Sequence, residues 1–469
     1  MIRGKKSTLR RPVFPLPTRI LCEGESGRRG EQSGEMLRVE KCLLELTDRL
    51  RKPLGMDRRR FLQSSCGMAA AFVAMNSVFG PLFAVGPAEA ADPEAAAERS
   101  RTLAEQLIID VQTHFVSPDY HSRGILGLRE LAKRWNPQLQ GEQTVEKIRF
   151  DNFFEEVFIK SDTALAVLSS APADDPERYF LHNDELIRAR QRVEEMAGSR
   201  RLLAHALFSP GRPGWLEDLE RVIAMKPDAW KGYTVGMPFG ESRWPWRLDD
   251  EKLVYPAYEK MVKAGITTVC IHKGLLPSNY KQRMAGTWQY GGVDDVPKAA
   301  RDWPQLRFLI YHSAIRTGGL PTAEQLGAFE EKGEIPWVSE LARIPQEHGV
   351  ENVYAELGSV FAVTAVSAPR YCAGILGTLI KGMGENRVLW GTDSVWYGSP
   401  QWQIEAMRRL EIPEDLREKF GFRSLGPAGG TLKERIFAGN ARQVYACDTE
   451  GLQTDEVARM KREASEKKR

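Results

Sequence analysis

Long hydrophobic runs are missing from this chain of 469 residues. Its most apolar stretch, from Cys66 toward Ala90, is interrupted by Pro81 and by glycines. It falls short of the roughly 20 consecutive apolar residues that cross a bilayer, so no stable membrane anchor is expected. An excess of one charge is missing too. The 66 Lys and Arg against 63 Asp and Glu leave +3, with the basic surplus in the first 91 residues and a mildly acidic remainder. That balance offers no nucleic-acid-binding face. Neither GxGxxG nor GxxxxGK[ST] occurs, which removes the dinucleotide and P-loop classes. The six cysteines follow no CxxC or zinc-ribbon spacing. Cys22, Cys42 and Cys66 precede the expected domain. Cys270, Cys372 and Cys447 read as small buried hydrophobes, with one disulfide among them left open.

What is present is a rhythm of short strand-like runs separated by helical ones. Leu107 to Phe115 (LIIDVQTHF) is the first. DTALAVLSS, LLAHALFSP, WKGYTVG, TTVCIHKG, RFLIYHSA, VYAELGS and RVLWGTDS follow. Between them stand helical patterns such as DELIRARQRVEEMA and VYPAYEKMVKAG. Alternation of this kind makes right-handed βαβ units and a parallel sheet. Eight units predict a closed α/β barrel, the (β/α)8 or TIM fold, in preference to an open doubly wound sheet. Long loops are expected after the first strand (residues 115–146), the fifth (274–304) and the sixth (313–336). They carry aromatics such as Trp288 and Tyr290, as does the stretch after the eighth run with Trp396, and in such a barrel these loops overhang the catalytic face.

Histidine is scarce, with seven in the chain, yet three stand where a strand should finish: His114, His272 and His312. Asp393 closes the eighth run. Gln112 lies two residues before His114, so both project to the same side of a strand. A single strand-end histidine is more often a satisfied polar residue than a ligand. Four such groups on different strands are the ingredients of an open divalent-metal site. Lys231 lies in the fourth run, readable as a salt-bridged or substrate-facing lysine, and Glu356 in the seventh, readable as an acidic ligand, a proton-transfer group or an ion-pair partner.

This order of motifs, with KGY after the fourth strand, RVLWGTDS, and the closing ERIFAGNARQVY, resembles the amidohydrolase-2 branch of the amidohydrolase superfamily. That branch contains metal-dependent hydrolases and non-oxidative decarboxylases of the aminocarboxymuconate-semialdehyde and hydroxybenzoate type. The resemblance spans about residues 107–445. It implies an enzyme with one divalent metal ion, Zn2+ or Mn2+, held by His114, His272 and Asp393. His312 would sit over substrate or bound water, and Asp393 would also shuttle the proton. Gln112 departs from the family's first-strand pair, where His or Glu is usual. As a neutral ligand it would leave the site near +1, against about zero with a glutamate. Lys231, Glu356 and Trp396 are auxiliary candidates. The implied reaction is attack of metal-activated water on an amide, lactone or ester bond of a small cyclic or aromatic substrate. The alternatives are decarboxylation of an aromatic or unsaturated acid, and a binding protein with a degenerate metal site. A homo-oligomer is compatible with either enzyme.

The front of the chain reads as an address. Met56 opens MDRRRFLQSS, then an Ala- and Gly-rich apolar stretch ends at the small-x-small site Ala88-Glu89-Ala90. This resembles a twin-arginine export signal, with Asp57 and Gln63 as departures. It implies the twin-arginine machinery as partner and the periplasm or exterior as destination. The expected organisation is an upstream extension or disordered tail at 1–55, a signal at 56–90, the barrel at 91–450, and a charged tail at 451–469.

Overall fold

The computed structural model describes residues 13–17, 33–121, 124–136, 138–139, 141–238 and 240–466; Cys22 lies outside them. Eight parallel strands run in chain order: β1 Ile109–Thr113, β2 Leu165–Leu168, β3 Leu202–Leu207, β4 Ala229–Tyr233, β5 Thr268–His272, β6 Arg307–Tyr311, β7 Val353–Glu356 and β8 Val388–Leu389. Each pairs with the next. Helices cover the outside, among them Asn183–Ala197, Tyr255–Lys263 and Pro369–Met383. The protein is a (β/α)8 barrel, as the strand–helix rhythm requires.

Side chains alternate along each strand, so one set fills the barrel axis and the other meets the helices. On β6, Leu309 and Tyr311 join the interior cluster with Ile109, Val167, Leu203 and Cys270, while Phe308 and Ile310 join the outer core. The closing motif plugs the base. Ala438, Ala441 and Val444 pack against the interior cluster, and the Asn440 amide donates to the Glu385 and Val388 carbonyls, 2.8 Å each. His205 is a fully buried core histidine. It contacts Ser169 Oγ at 2.7 Å through Nδ1 and the Tyr445 hydroxyl at 3.0 Å through Nε2.

Closure joins β1 to the segment after β8. The Val111 N–H donates to the Trp390 carbonyl (3.0 Å), and the Asp393 N–H donates to the Gln112 carbonyl (2.9 Å). Asp110 is fully buried at this seam. It accepts from the Thr392 N–H at 3.0 Å, from the Thr392 hydroxyl, and from the Gln112 N–H at 3.2 Å. Burial pushes its carboxyl up to about 7.

The two ends of the chain are more built than their composition suggests. Within the stretch expected as an extension, Gly34–Leu50 forms helix α1. The signal-like stretch forms α2 Arg58–Leu62, α3 Ser65–Phe79 and α4 Pro87–Ala91, and α5 Pro93–Thr102 leads toward β1. Among the described residues no helix is long and apolar enough to cross a membrane. The tail helix Glu456–Glu466 is anchored rather than frayed. Asp455 pairs with the buried Arg201, Val457 is fully buried, and Lys461 donates to the Thr163 carbonyl at 2.8 Å. Charge alone suggested exposure; a buried guanidinium on the barrel supplies the partner. The five described cysteines are all free, and Cys270, Cys372 and Cys447 are buried as expected.

Losing the Asp110 carboxylate would strand two backbone N–H groups and a hydroxyl at the seam. Asp110→Ala is expected to lower unfolding stability by about 2–4 kcal/mol, and Asp110→Asn by less, measured by urea denaturation. Equal, negligible losses would mean the seam closes without it.

Candidate active site

Strand ends deliver four polar residues to one mouth. His114 follows β1, His272 ends β5, His312 follows β6 and Asp393 lies beyond β8. All four are at most 5% exposed, so each interaction among them acts in a low-dielectric setting. Asp393 is the hub. Its Oδ1 lies 2.9 Å from His114 Nε2 and accepts from Gln112 Nε2 at 3.0 Å. Its Oδ2 accepts the Ser359 hydroxyl, which lies 2.9 Å from the Tyr397 hydroxyl. Burial works against its charge, yet the His114 and His312 imidazoles beside it and the Ser359 bond hold it below the usual carboxyl range. Asp393, His312 and Ser359 all keep positive φ, at 61°, 59° and 58°. Non-glycine residues there cost roughly 1–3 kcal/mol each and persist where the surroundings impose them.

The histidine tautomers follow from their second nitrogens. A carbonyl only accepts, so His114 Nδ1 donates to Ser169 O (2.9 Å) and His312 Nδ1 donates to Gly358 O (2.9 Å). Each ring then turns its Nε2 inward. His312 Nε2 meets His272 Nδ1 at 3.0 Å. Burial keeps both rings neutral: His312 is pushed down to about 4, and His272 falls well below 6.5.

These donors form two pairs. Among the described residues no three His, Cys, Asp or Glu side chains close round one point. The chemistry of the set nonetheless fits a divalent cation. His114 Nε2 and Asp393 Oδ1 stand 2.9 Å apart, a contact that either a proton or a cation between them would satisfy. Gln112 Oε1 is buried without a hydrogen-bond partner. The Gln112 amide nitrogen occupies the side toward Asp393 and lies 3.4 Å from His114 Nε2. Turning that amide over would put the free oxygen there instead.

Aromatic faces enclose the pairs. Trp396, expected near the mouth, stacks on His114 (centroids 5.4 Å, 15°), and Phe180 meets Trp396 edge-on at 5.4 Å. Tyr233 stacks on His272 (4.6 Å, 18°). By contrast Trp288 and Tyr290 line a separate groove of about 510 Å³ with Trp337 and Arg247, and Trp402 is buried.

Lys231 and Glu356 lie beneath this layer, both fully buried. Lys231 Nζ has no hydrogen-bond partner and sits 3.2 Å from the Tyr311 ring centroid. Burial brings it down to about 7. Glu356 Oε2 accepts the His312 N–H (3.0 Å) and Oε1 accepts the Gly358 N–H. Among the described residues no Arg or Lys lies within ion-pair distance of it. Burial pushes it up to about 8. A Cβ at Gly358 or Gly391 would overlap Glu356, so both glycines make room for its side chain.

Ser359 and Phe180 were not singled out from sequence; Tyr233 entered only within the KGY motif and Tyr397 only as one of the loop aromatics. Ser359 and Tyr397 follow strand ends by three and eight residues, and that loop position was their one available signal.

A family model described as Amidohydrolase (Amidohydro_2) matches residues 187–446. No curated protein matches. Three solved structures illustrate the structural matches. The first is 5-carboxyvanillate decarboxylase from Sphingomonas paucimobilis (14% identity, 73% of this chain, 100% of that one, TM-score 0.42). The second is a dihydroxybenzoic acid decarboxylase from Polaromonas sp. JS666 with bound manganese and 2-nitroresorcinol (14%, 73%, 97%, 0.42). The third is a candidate 2-pyrone-4,6-dicarboxylic acid hydrolase from Pseudomonas putida (15%, 74%, 99%, 0.41).

The raised Glu356 carboxyl has a signed consequence. Between pH 4.5 and 8 the folded chain keeps a proton that the unfolded chain releases. Its contribution is full below pH 4.5 and lost as pH rises through about 8. Lys231 runs oppositely, full above 10.5 and lost as pH falls through about 7. Glu356→Gln is expected to remove a loss on the order of a few kcal/mol between pH 5 and 8. Urea unfolding at both pH values reads it, and equal slopes for variant and parent would refute it.

Proposed function

The chain belongs to the amidohydrolase family, and from that premise we propose a metal-dependent hydrolase acting on a carbonyl-type bond, whether amide, lactone or ester, of a small cyclic or aromatic substrate. The supporting observation is the Asp393 hub: a buried, ionised carboxylate with one oxygen toward His114 and Gln112 and the other held by Ser359.

His114, His272, Asp393 and Gln112 would hold one divalent ion, Zn2+ or Mn2+, which supplies a Lewis acid for the carbonyl and for water. Asp393 takes the proton from the attacking water, and the Ser359 hydroxyl fixes which oxygen is free to do so. The one N–H of neutral His312 is engaged by the Gly358 carbonyl, so its Nε2 accepts rather than donates. That nitrogen also meets His272 Nδ1, so His312 positions the site as an acceptor and does not supply a proton to the developing oxyanion. Lys231 is the buried amine on the same side of the barrel, able to balance negative charge. Trp396, Phe180 and Tyr233 offer flat apolar faces for a planar ring and exclude water around the reacting bond.

A second reading, a carboxy-lyase, is favoured by Glu356. At neutral pH it keeps its proton next to His312 and Gly358, and decarboxylation of an aromatic acid needs an acid to protonate the ring carbon. In both readings the enzyme is exported by the twin-arginine route to the periplasm or beyond, as the Met56 leader motif suggests.

Elemental analysis of chelator-free protein beside His114→Ala and Asp393→Ala tests the metal. One equivalent in the parent and loss in both variants is expected, with catalysis down at least about 10³-fold. A parent that takes up neither Zn2+ nor Mn2+ would sink the enzyme reading in favour of the binding one. Product analysis on lactones, amides and hydroxybenzoates separates water consumed from CO2 released. Gln112→Glu should retain metal at least about tenfold more tightly, because it adds a negative charge to the donor set. Competition with a chelating dye reads that difference.

A further inference from the structure

Helix α3 is apolar on every side. Cys66, Gly67, Ala69, Ala70, Ala71, Phe72, Ala74 and Met75 are all buried, and such a helix needs partners all round. The barrel covers one side. Phe83 pairs with Leu410 in an antiparallel bridge, Phe72 packs on Phe83 with centroids 4.9 Å apart, and the Arg409 guanidinium lies 5.2 Å from the Phe72 ring. Asn76 fastens the turn after α3 through Leu82 N, Phe83 N and Phe83 O.

Helix α1 packs along α3. Its buried residues Met36, Val39, Leu43 and Thr47 recur at helical spacing and form a single stripe. The same helix reaches the leader motif. Asp48 accepts from Arg58 Nε at 2.7 Å and from the Arg58 terminal nitrogen, and Arg58 is the first of the paired arginines. The Arg58 bond holds the Asp48 carboxyl down at about 2.

We infer that α1 is a mask for the export leader: by covering α3 and clamping Arg58, it keeps the leader folded against the barrel and away from the export machinery. A chain carrying α1 then stays in the cytoplasm, and one begun at Met56 is exported. This rests on the twin-arginine reading made above. The pair at Arg58 is surface-exposed and weak by itself, so the apolar stripe does most of the holding and Asp48 sets where the helix lies.

Fractionation of a bacterium that has the twin-arginine route tests it, with four proteins: the full chain, the full chain with Met36→Glu and Leu43→Glu, the chain begun at Met56, and that short chain with Arg58→Lys and Arg59→Lys. The full chain should remain cytoplasmic. The double variant and the Met56 chain should appear in the periplasm at least fivefold more, and the lysine pair should abolish that export. Full-chain export equal to that of the other two would overturn the mask while leaving the leader reading intact. Export of none would overturn the leader reading, and the mask with it. Thermal unfolding of the double variant, expected to match the parent's main transition, separates release of α1 from loss of the barrel.

Discussion

Closure of the sheet between β1 and the segment after β8 is the constraint on which the site depends. Gln112 and His114 lie about 280 residues before Asp393 in sequence, and they meet because Asp110 accepts from Thr392 while Trp390 and Gln112 supply carbonyls across the same seam. A parallel barrel has no other way to bring the first strand beside the last. The seam holds a buried carboxylate, and its cost is offset by donors on both sides.

Around that seam the site is organised by hydrogen bonds to backbone. Ser169 O and Gly358 O fix the His114 and His312 tautomers, and two N–H groups hold Glu356. Such partners orient ligand side chains without adding charge. They also set the division of labour: an ionised Asp393, neutral His272 and His312 and a neutral acid stand close together. Hydrolysis and decarboxylation use that set differently, the first through the base and the second through the acid.

The same physical logic reaches the front of the chain. An all-apolar helix finds burial between the barrel and α1, where composition alone suggests a leader awaiting removal. Whether such a segment is an address or a structural layer is a matter of what covers it, and covering is a property of the fold.

The eight strands, the barrel they form and the polar residues at their ends were legible in the sequence, because strand burial imposes local apolar runs and polar residues within such runs stand out. His114, His272, His312 and Asp393 were found that way, and the structure brings them to one mouth as two pairs. Ser359, Tyr397 and Tyr233 were not legible as site residues, since they lie in loops or on a strand without a distinguishing pattern. The proton on His312 Nδ1, the unpartnered amine of Lys231 and the held proton of Glu356 also depend on neighbours far away in sequence. Local periodicity thus determined the fold and the candidate ligands. Only tertiary structure decided which atoms face one another, because tautomer, burial and charge are set by contacts that no local stretch of sequence contains.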